Sequence, residues 1–330
     1  VTRFVIFGAG GVGGTIGVCL AEAGHDVVLV ARGANRDAIA ARGLRLETPE
    51  RAVTVPLPVT DDVSTIGLGA EPGDVVLLAT KSQDTAGACQ SIAAAAANPV
   101  PVVCLQNGVA NEAAVLRWFP DVYGVPVMLP ALHLEPGIVQ ASSAPITGIL
   151  DVGRYPAGVD DTAKEVSAAF AGATFDSEAR PDVMAWKWRK LFSNCLNAVE
   201  ALTGALTAGS DETVEVIRLV SAECERVTAA AGIDVVSRQD DVARRGDLMT
   251  IAPVNGADRP GGSTWQSLAR GTGVETDYLN GEIVMHGRLH GVPTPVNEWL
   301  QHAVRTAAAT GAGPGSMTIS DVLAALRTVL

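Results

Sequence analysis

The chain opens on four consecutive apolar residues, Phe4-Val5-Ile6-Phe7, rich in β-branched and aromatic side chains. A run that short, with no polar alternation, predicts a strand buried on both faces. A small-residue stretch then runs to about Ala23 and closes on Gly24, which predicts a helix, and residues 27–30 predict a second buried strand. The pattern continues with a helix near 36–42, strands near 44–47 and 53–56, and a buried strand over 74–79. An alanine-rich helix and another strand over 102–105 come next. From 122 to about 175 the apolar runs shorten (123–128, 138–140, 146–150) and are separated by Pro and Gly, which predicts that the sheet ends in antiparallel strands.

Arg180-Pro181-Asp182 reads as a linker and a helix start, with proline in the first turn. Beyond it helical spacing predicts segments at 182–202, 211–231, 239–250, 275–290 and 296–309. After the Gly-rich stretch 311–315, Ile319, Val322, Leu323, Leu326 and Val329 form a last apolar stripe, with Thr318 and Asp321 placed to cap it. Such a stripe must be buried, on its own domain or on a second subunit. The fold expected is α/β: a Rossmann-type dinucleotide-binding domain over residues 1–180, then an all-helical substrate domain over 181–330.

The first strand-to-helix junction carries Gly8, Gly10 and Gly13 in G-x-G-x-x-G register, with Gly11 and Val12 opening the helix. The first glycine permits a tight turn, the second lets backbone approach a pyrophosphate, and the third lets helix and strand pack closely. The free N–H groups of the helix start suit phosphate. The second strand ends in Ala31-Arg32, where NAD-binding proteins carry an acidic residue for the ribose. A guanidinium there pairs with a 2′-phosphate, so the cofactor expected is NADP. In an open parallel sheet ligands sit beyond the carboxyl ends of strands, so Lys81 and Asn107 are expected beside the glycine loop as cofactor contacts.

In the helical half, Lys190, Asn194 and Asn197 fall within an arc of roughly 60° on an ideal helix. One face thus presents an ammonium and two carboxamides among Trp, Phe and Leu. A second polar group comprises Ser263 and, later, Glu275-Thr276-Asp277-Tyr278-Leu279-Asn280-Gly281. Hydride addition to a ketone builds negative charge on oxygen, so a nearby lysine can stabilise that charge and deliver a proton. A neighbouring carboxylate can keep the lysine charged and oriented.

In this order the motifs resemble the ketopantoate reductase (2-dehydropantoate 2-reductase) family. The likeness runs from the glycine loop through Lys81, Gln106-Asn107-Gly108, Lys190-Leu191-x-x-Asn194 and Glu275-x-Asp277-Tyr278-x-Asn280-Gly281 to Gly291-Val292-Pro293-Thr294-Pro295-Val296-Asn297. The resemblance implies NADPH-dependent reduction of a 2-oxo acid in a cleft between a Rossmann domain and a helical domain. It makes Lys190 the general acid, places Glu275 on the substrate's reacting oxygen, and has Ser263 help hold its carboxylate, with Asn194 and Asn197 as further substrate contacts. Two departures stand out. Asn197 comes seven residues after Lys190, one fewer than is usual, and 201–204 shift with it. A one-residue deletion between Asn194 and Asn197 is expected, and on a helix it rotates the downstream side chains by about 100°. In the family that asparagine helps read the 4-hydroxyl of ketopantoate. The second departure is Ser267, where the family often carries an acidic residue.

Competing readings are a reductase of another keto or imino substrate in a secondary pathway, and a non-catalytic NADP-binding sensor. Retention of Lys190 together with Glu275 argues against the sensor. Glu282, His286 and His290 recur every four residues, a spacing that suits a metal, but without a His-Glu-x-x-His core they read as an ordinary helix face and no metal is expected.

The net charge of −12 over 330 residues, with no basic run longer than residues 186–190, argues against nucleic acid as a partner. No apolar run approaches the roughly 20 residues a bilayer span needs. The first residues read as strand, not signal peptide, and the five cysteines (Cys19, Cys89, Cys104, Cys195, Cys224) are scattered singly. A cytoplasmic protein with reduced thiols is expected, its partner a small-molecule 2-oxo acid, with a homodimer left open.

Overall fold

The structure, a computed structural model, describes residues 2–204 and 209–330. Its backbone divides into two units: one comprises residues up to 106, 110–187 and 239–259, the other 107–109, 188–238 and 260–330. In chain order the first opens with β1 (Arg3–Phe7), α1 (Gly11–Glu22), β2 (Asp26–Val30), α2 (Gly33–Arg42), β3 (Leu44–Glu47), β4 (Ala52–Val55), β5 (Val59–Thr60) and β6 (Asp74–Leu78). It continues through α3 (Thr85–Ala95), β7 (Val102–Cys104), α4 (Asn111–Leu116), β8 (Val122–Gly124), β9 (Ala131–Glu135), β10 (Ile138–Ala141) and β11 (Ser143–Pro145). Then β12 (Gly148–Ile149), β13 (Gly153–Arg154), α5 (Asp161–Ala171) and β14 (Phe175–Asp176) lead to α6 (Val183–Cys195). The remaining elements are α7 (Asn197–Thr203), α8 (Asp211–Ala230), α9 (Arg238–Arg245), β15 (Met249–Ile251), α10 (Ser263–Ala269), α11 (Asn280–His290), α12 (Pro295–Thr310) and α13 (Ile319–Val329).

Seven strands form the main sheet in the order β13-β8-β7-β6-β1-β2-β5. All pair in parallel except β13, which runs antiparallel to β8. The unbroken apolar runs are explained by burial on both faces. Phe4 and Ile6 pack with Ile16, Leu20, Val166 and Phe170 of α1 and α5, whereas Val5 and Phe7 pack with Ala88, Ile92 and Val115 of α3 and α4.

Three segments depart from their expected form. The main sheet does end in an antiparallel strand, β13, but β8 joins it in parallel, and β9 and β10 leave it for a separate four-stranded sheet, β4-β3-β10-β9. Their alternating burial suits a sheet with one covered face, which lies on α1. Helix α1 therefore has sheet on two sides, which accounts for its glycines: a Cβ on Gly14 would come within 2.9 Å of Val139 Cγ1.

The helix expected over 239–250 stops at Arg245. Gly246 comes next at φ +43°, and β15 pairs antiparallel with β11, so residues 239–259 pack with the first unit. Arg244, its side chain 7% exposed, holds them there by ion pairs to Asp151 at 2.7 Å and to Asp176. Backbone packing changes from one unit to the other within α6, after Lys187, a few residues beyond the boundary expected near 180.

The helix expected over 182–202 is interrupted at Leu196, so that Asn194 lies on α6 and Asn197 opens α7. At the break Leu196 N–H turns back to Ser193 O, and the Cys195 carbonyl accepts instead from Asn280 Nδ2 at 3.0 Å. A side chain inserted into the backbone ladder is a known cause of such breaks. Asn280 Nδ2 also donates to Asn297 Oδ1 at 3.0 Å, and Asn297 Nδ2 donates to Glu223 Oε2 at 2.8 Å. Glu223, 1% exposed, accepts the N–H groups of Val296 and Asn297 at 2.8 and 2.9 Å, so an α8 carboxylate caps the start of α12. Helix α13 begins with a Thr318–Asp321 capping box and buries Val322, Leu323 and Leu326 against α7, α8 and α12 of its own unit. All five cysteines are buried free thiols. Among the described residues no helix is long and apolar enough to cross a membrane.

Candidate active site

In the first unit the glycine turn lies at the carboxyl edge of β1. Gly8 has φ +111°, and a Cβ there would stand 2.9 Å from the Ala79 carbonyl carbon. A Cβ on Gly13 would stand 2.1 Å from Gly8 O. Only glycine fits either place. Gly10 differs, because a Cβ there would meet nothing nearer than His133 Nδ1 at 4.0 Å. It faces a cleft of about 660 Å³ whose lining includes Gly8, Gly10, Arg32, Asn35, Thr80 and His133. Gly11, Val12 and Gly13 form the first turn of α1. Arg32, exposed on the cleft wall, is the residue that opens α2, and no carboxylate among the described residues pairs with it. A bare backbone concavity at a helix start, with an unpaired guanidinium nearby, fits the phosphates of a dinucleotide.

Asn35 was not visible as a site residue in the sequence. Its Nδ2 donates to Ala9 O at 2.8 Å, and its Oδ1 accepts from Gly137 N–H at 2.8 Å with His133 Nε2 at 3.2 Å. It ties the glycine loop to the strap between β9 and β10. Lys81 comes after β6, half-buried, and opens a 3-10 turn over Ser82–Asp84. Asn107 comes after β7 and packs with the second unit. Neither lines the 660 Å³ cleft. A buried polar chain starts at Ser82, next to Lys81: Asn111 Nδ2 donates to Ser82 Oγ, Thr85 Oγ1 to Asn111 Oδ1, and Gln106 Nε2 to Thr85 Oγ1.

Helix α6 carries two lysines one turn apart. Lys187, 2% exposed, pairs with fully buried Glu112 at 2.7 Å and donates to Gln106 O at 2.9 Å and Val125 O at 3.2 Å. One carboxylate and two carbonyls thus surround the ammonium. Lys190 is half-buried, with its Nζ 3.4 Å from Ser193 Oγ. Asn194, one turn on, is 3% exposed, and its Oδ1 has no hydrogen-bond partner. A buried acceptor left unmade costs about 1–3 kcal/mol, so a ligand donor there would be favoured. Asn197 opens α7 with its Nδ2 3.4 Å from Ser263 Oγ at the start of α10. Glu275, half-buried, immediately precedes the 3-10 turn Thr276–Tyr278.

The thiol of Cys195 at the helix break is pushed well above its ordinary pKa by its hydrogen bond with Cys224 and by burial, so it stays protonated. His286 lies 3.5 Å from Glu282 and stacks on His290, and burial lowers its pKa. Among the described residues no three His, Cys, Asp or Glu side chains are placed to hold a metal ion.

The parallel sheet with its glycine cradle, followed by a helical unit, defines a two-unit nucleotide-binding protein. A family model described as ketopantoate reductase PanE/ApbA matches residues 4–156, and its C-terminal counterpart matches residues 182–308. The chain belongs to the ketopantoate reductase family. It is 31% identical to the 2-dehydropantoate 2-reductase of Caulobacter vibrioides, over 93% of this chain and 99% of that one. It is 28% identical to that of Pyrococcus horikoshii, over 94% and 99%. Among solved structures, a PanE/ApbA family ketopantoate reductase from Ralstonia eutropha JMP134 has a TM-score of 0.78 at 31% identity, covering 94% of this chain and 99% of that one. A D-mandelate dehydrogenase solved with NADH and anilino(oxo)acetate shares the fold, with a TM-score of 0.79 at 21% identity over 94% and 99%.

Proposed function

We propose that this chain reduces a 2-oxo acid, ketopantoate or a close analogue, with NADPH as hydride source and Lys190 as general acid. The observation that carries the reading is the pairing on α6 of a half-buried lysine with a buried asparagine whose acceptor is unmade. The names of the Caulobacter and Pyrococcus relatives support the same chemistry. Gly8, Gly10, Gly11, Val12 and Gly13 would hold the pyrophosphate, Arg32 the 2′-phosphate, and Lys81 and Asn107 would complete the cofactor contacts. NADPH when bound supplies the hydride for the keto carbon.

The chain's own residues do the rest. The Lys190 ammonium offsets the charge that develops on the keto oxygen and then gives that oxygen its proton. Glu275 keeps Lys190 charged and contacts the same oxygen. Asn194, Asn197 and Ser263 fix the acid so that the keto carbon is presented in one orientation.

The test measures NADPH oxidation by absorbance across a panel of 2-oxo acids that includes ketopantoate. Turnover of ketopantoate or a branched analogue is expected. Tight NADPH binding with no turnover of any member would favour a non-catalytic sensor.

A further inference from the structure

Helix α7 carries a carboxylate that the proposed chemistry does not use. Glu200 stands three residues after Asn197, so both side chains leave the same face of the helix. Both reach the start of α10: Asn197 Nδ2 lies 3.4 Å from Ser263 Oγ, and Glu200 Oε2 accepts from Gly262 N–H at 2.9 Å. Glu200 is half-buried, and among the described residues no lysine, arginine or histidine pairs with it. A carboxylate offers about four lone-pair sites, and one backbone N–H leaves most of them unused. Asn197, donating toward Ser263 through its nitrogen, keeps its amide oxygen as an acceptor. Two acceptors, one of them charged, therefore stand together beside Ser263, a proposed substrate contact.

We propose that Glu200 determines substrate specificity, selecting 2-oxo acids whose tail ends in a hydrogen-bond donor, hydroxyl or ammonium, over tails ending in methyl or carboxylate. The inference rests on the reductase reading. A donor tail satisfies Glu200 and Asn197 together; a methyl leaves the carboxylate unpaired, and a second carboxylate is repelled by it. Asn197 and Glu200 both lie on the first turn of α7, which sets the two acceptors side by side.

The experiment measures kcat/KM with NADPH for four 2-oxo acids of equal chain length, ending in hydroxyl, ammonium, methyl or carboxylate. Wild-type enzyme is expected to prefer either donor tail over methyl by at least tenfold and to use the carboxylate tail least. In E200A the hydroxyl-to-methyl ratio should fall toward one. E200Q keeps an oxygen for Gly262 N–H, so it guards against a folding defect, and it should keep the hydroxyl preference while losing the ammonium preference. If Glu200 only caps the backbone, E200A lowers all four values by one common factor, and the inference is overturned with the reductase reading intact. No turnover of any of the four while ketopantoate is reduced would overturn the inference alone; no turnover of ketopantoate either would overturn the reading, and the inference with it.

Discussion

The two units hold polar groups against backbone in opposite ways. The first does it by removing side chains: Gly8 and Gly13 let strand, loop and helix close to distances no Cβ allows, and Gly10 leaves the backbone open to a cleft. The second does it by adding them. Glu223, Asn297 and Asn280 form a buried line of hydrogen bonds that caps α12 at one end and catches the orphaned Cys195 carbonyl at the other. Every polar atom of the Asn280 side chain is engaged, with Thr276 Oγ1 donating to its Oδ1 at 3.3 Å. The cradle is rigid because nothing fits between its parts. The helix break is rigid because several groups depend on one another, and a fully satisfied network of this kind specifies one geometry.

Helix α6 spans both designs, and its two lysines give the sharpest way to separate them. Lys190→Ala should lower kcat by about 10²–10⁴-fold, the usual contribution of general acid catalysis. Lys190→Arg should restore little, since a guanidinium does not release a proton near neutral pH. Lys187→Ala should do the reverse. It strands Glu112 in the core and should lower unfolding free energy by about 3–5 kcal/mol, as breaking a buried pair does, while kcat per folded molecule holds. Denaturant titration beside active-site-normalised kinetics reads both. Near wild-type turnover in Lys190→Ala would end the acid role, and unaltered stability in Lys187→Ala would mean the buried pair contributes nothing.

A smaller effect is expected from the carboxamide line. Asn280→Ala leaves the Cys195 carbonyl and Asn297 Oδ1 without their donor, at about 1–3 kcal/mol for buried groups of this kind. Because the loss falls at the helix break, amide hydrogen exchange across residues 190–203 should quicken more than exchange in β1 or β6. Uniform acceleration in both units would show that the line does not hold the break.

The same contrast explains what was readable in the sequence. The glycine loop, β1, α1 and β2 are legible because their signal lies within 30 consecutive residues and each glycine has its own steric reason. The break at Leu196 was visible only as a spacing anomaly, and its cause was not, since Asn280, Asn297 and Glu223 lie far from it in sequence. Residues 239–250 misled because Gln239–Arg245 is helical and the strand after Gly246 is only three residues long. Nothing local says that Arg244 will meet Asp151 and Asp176, ninety-three and sixty-eight positions earlier. Lys187 escaped notice for a related reason: its partner Glu112 and the carbonyls of Gln106 and Val125 are brought to it only by the fold.

The smallest expected effect tests the cradle's one charged accessory. Arg32 opens α2, is exposed and lines the cleft, so its guanidinium can meet a 2′-phosphate without giving up an existing partner. Arg32→Ala should weaken NADPH by about tenfold, or 1.4 kcal/mol, and leave NADH nearly unchanged, because NADH has no phosphate at that position. Raising salt should narrow the difference between the two cofactors in wild-type protein, since an exposed contact is screened within a Debye length. Fluorescence titration with both nucleotides at two ionic strengths measures this directly. Equal affinities for NADPH and NADH in wild-type protein would mean that Arg32 is a solvated surface residue and that the glycine loop holds either cofactor by its pyrophosphate alone.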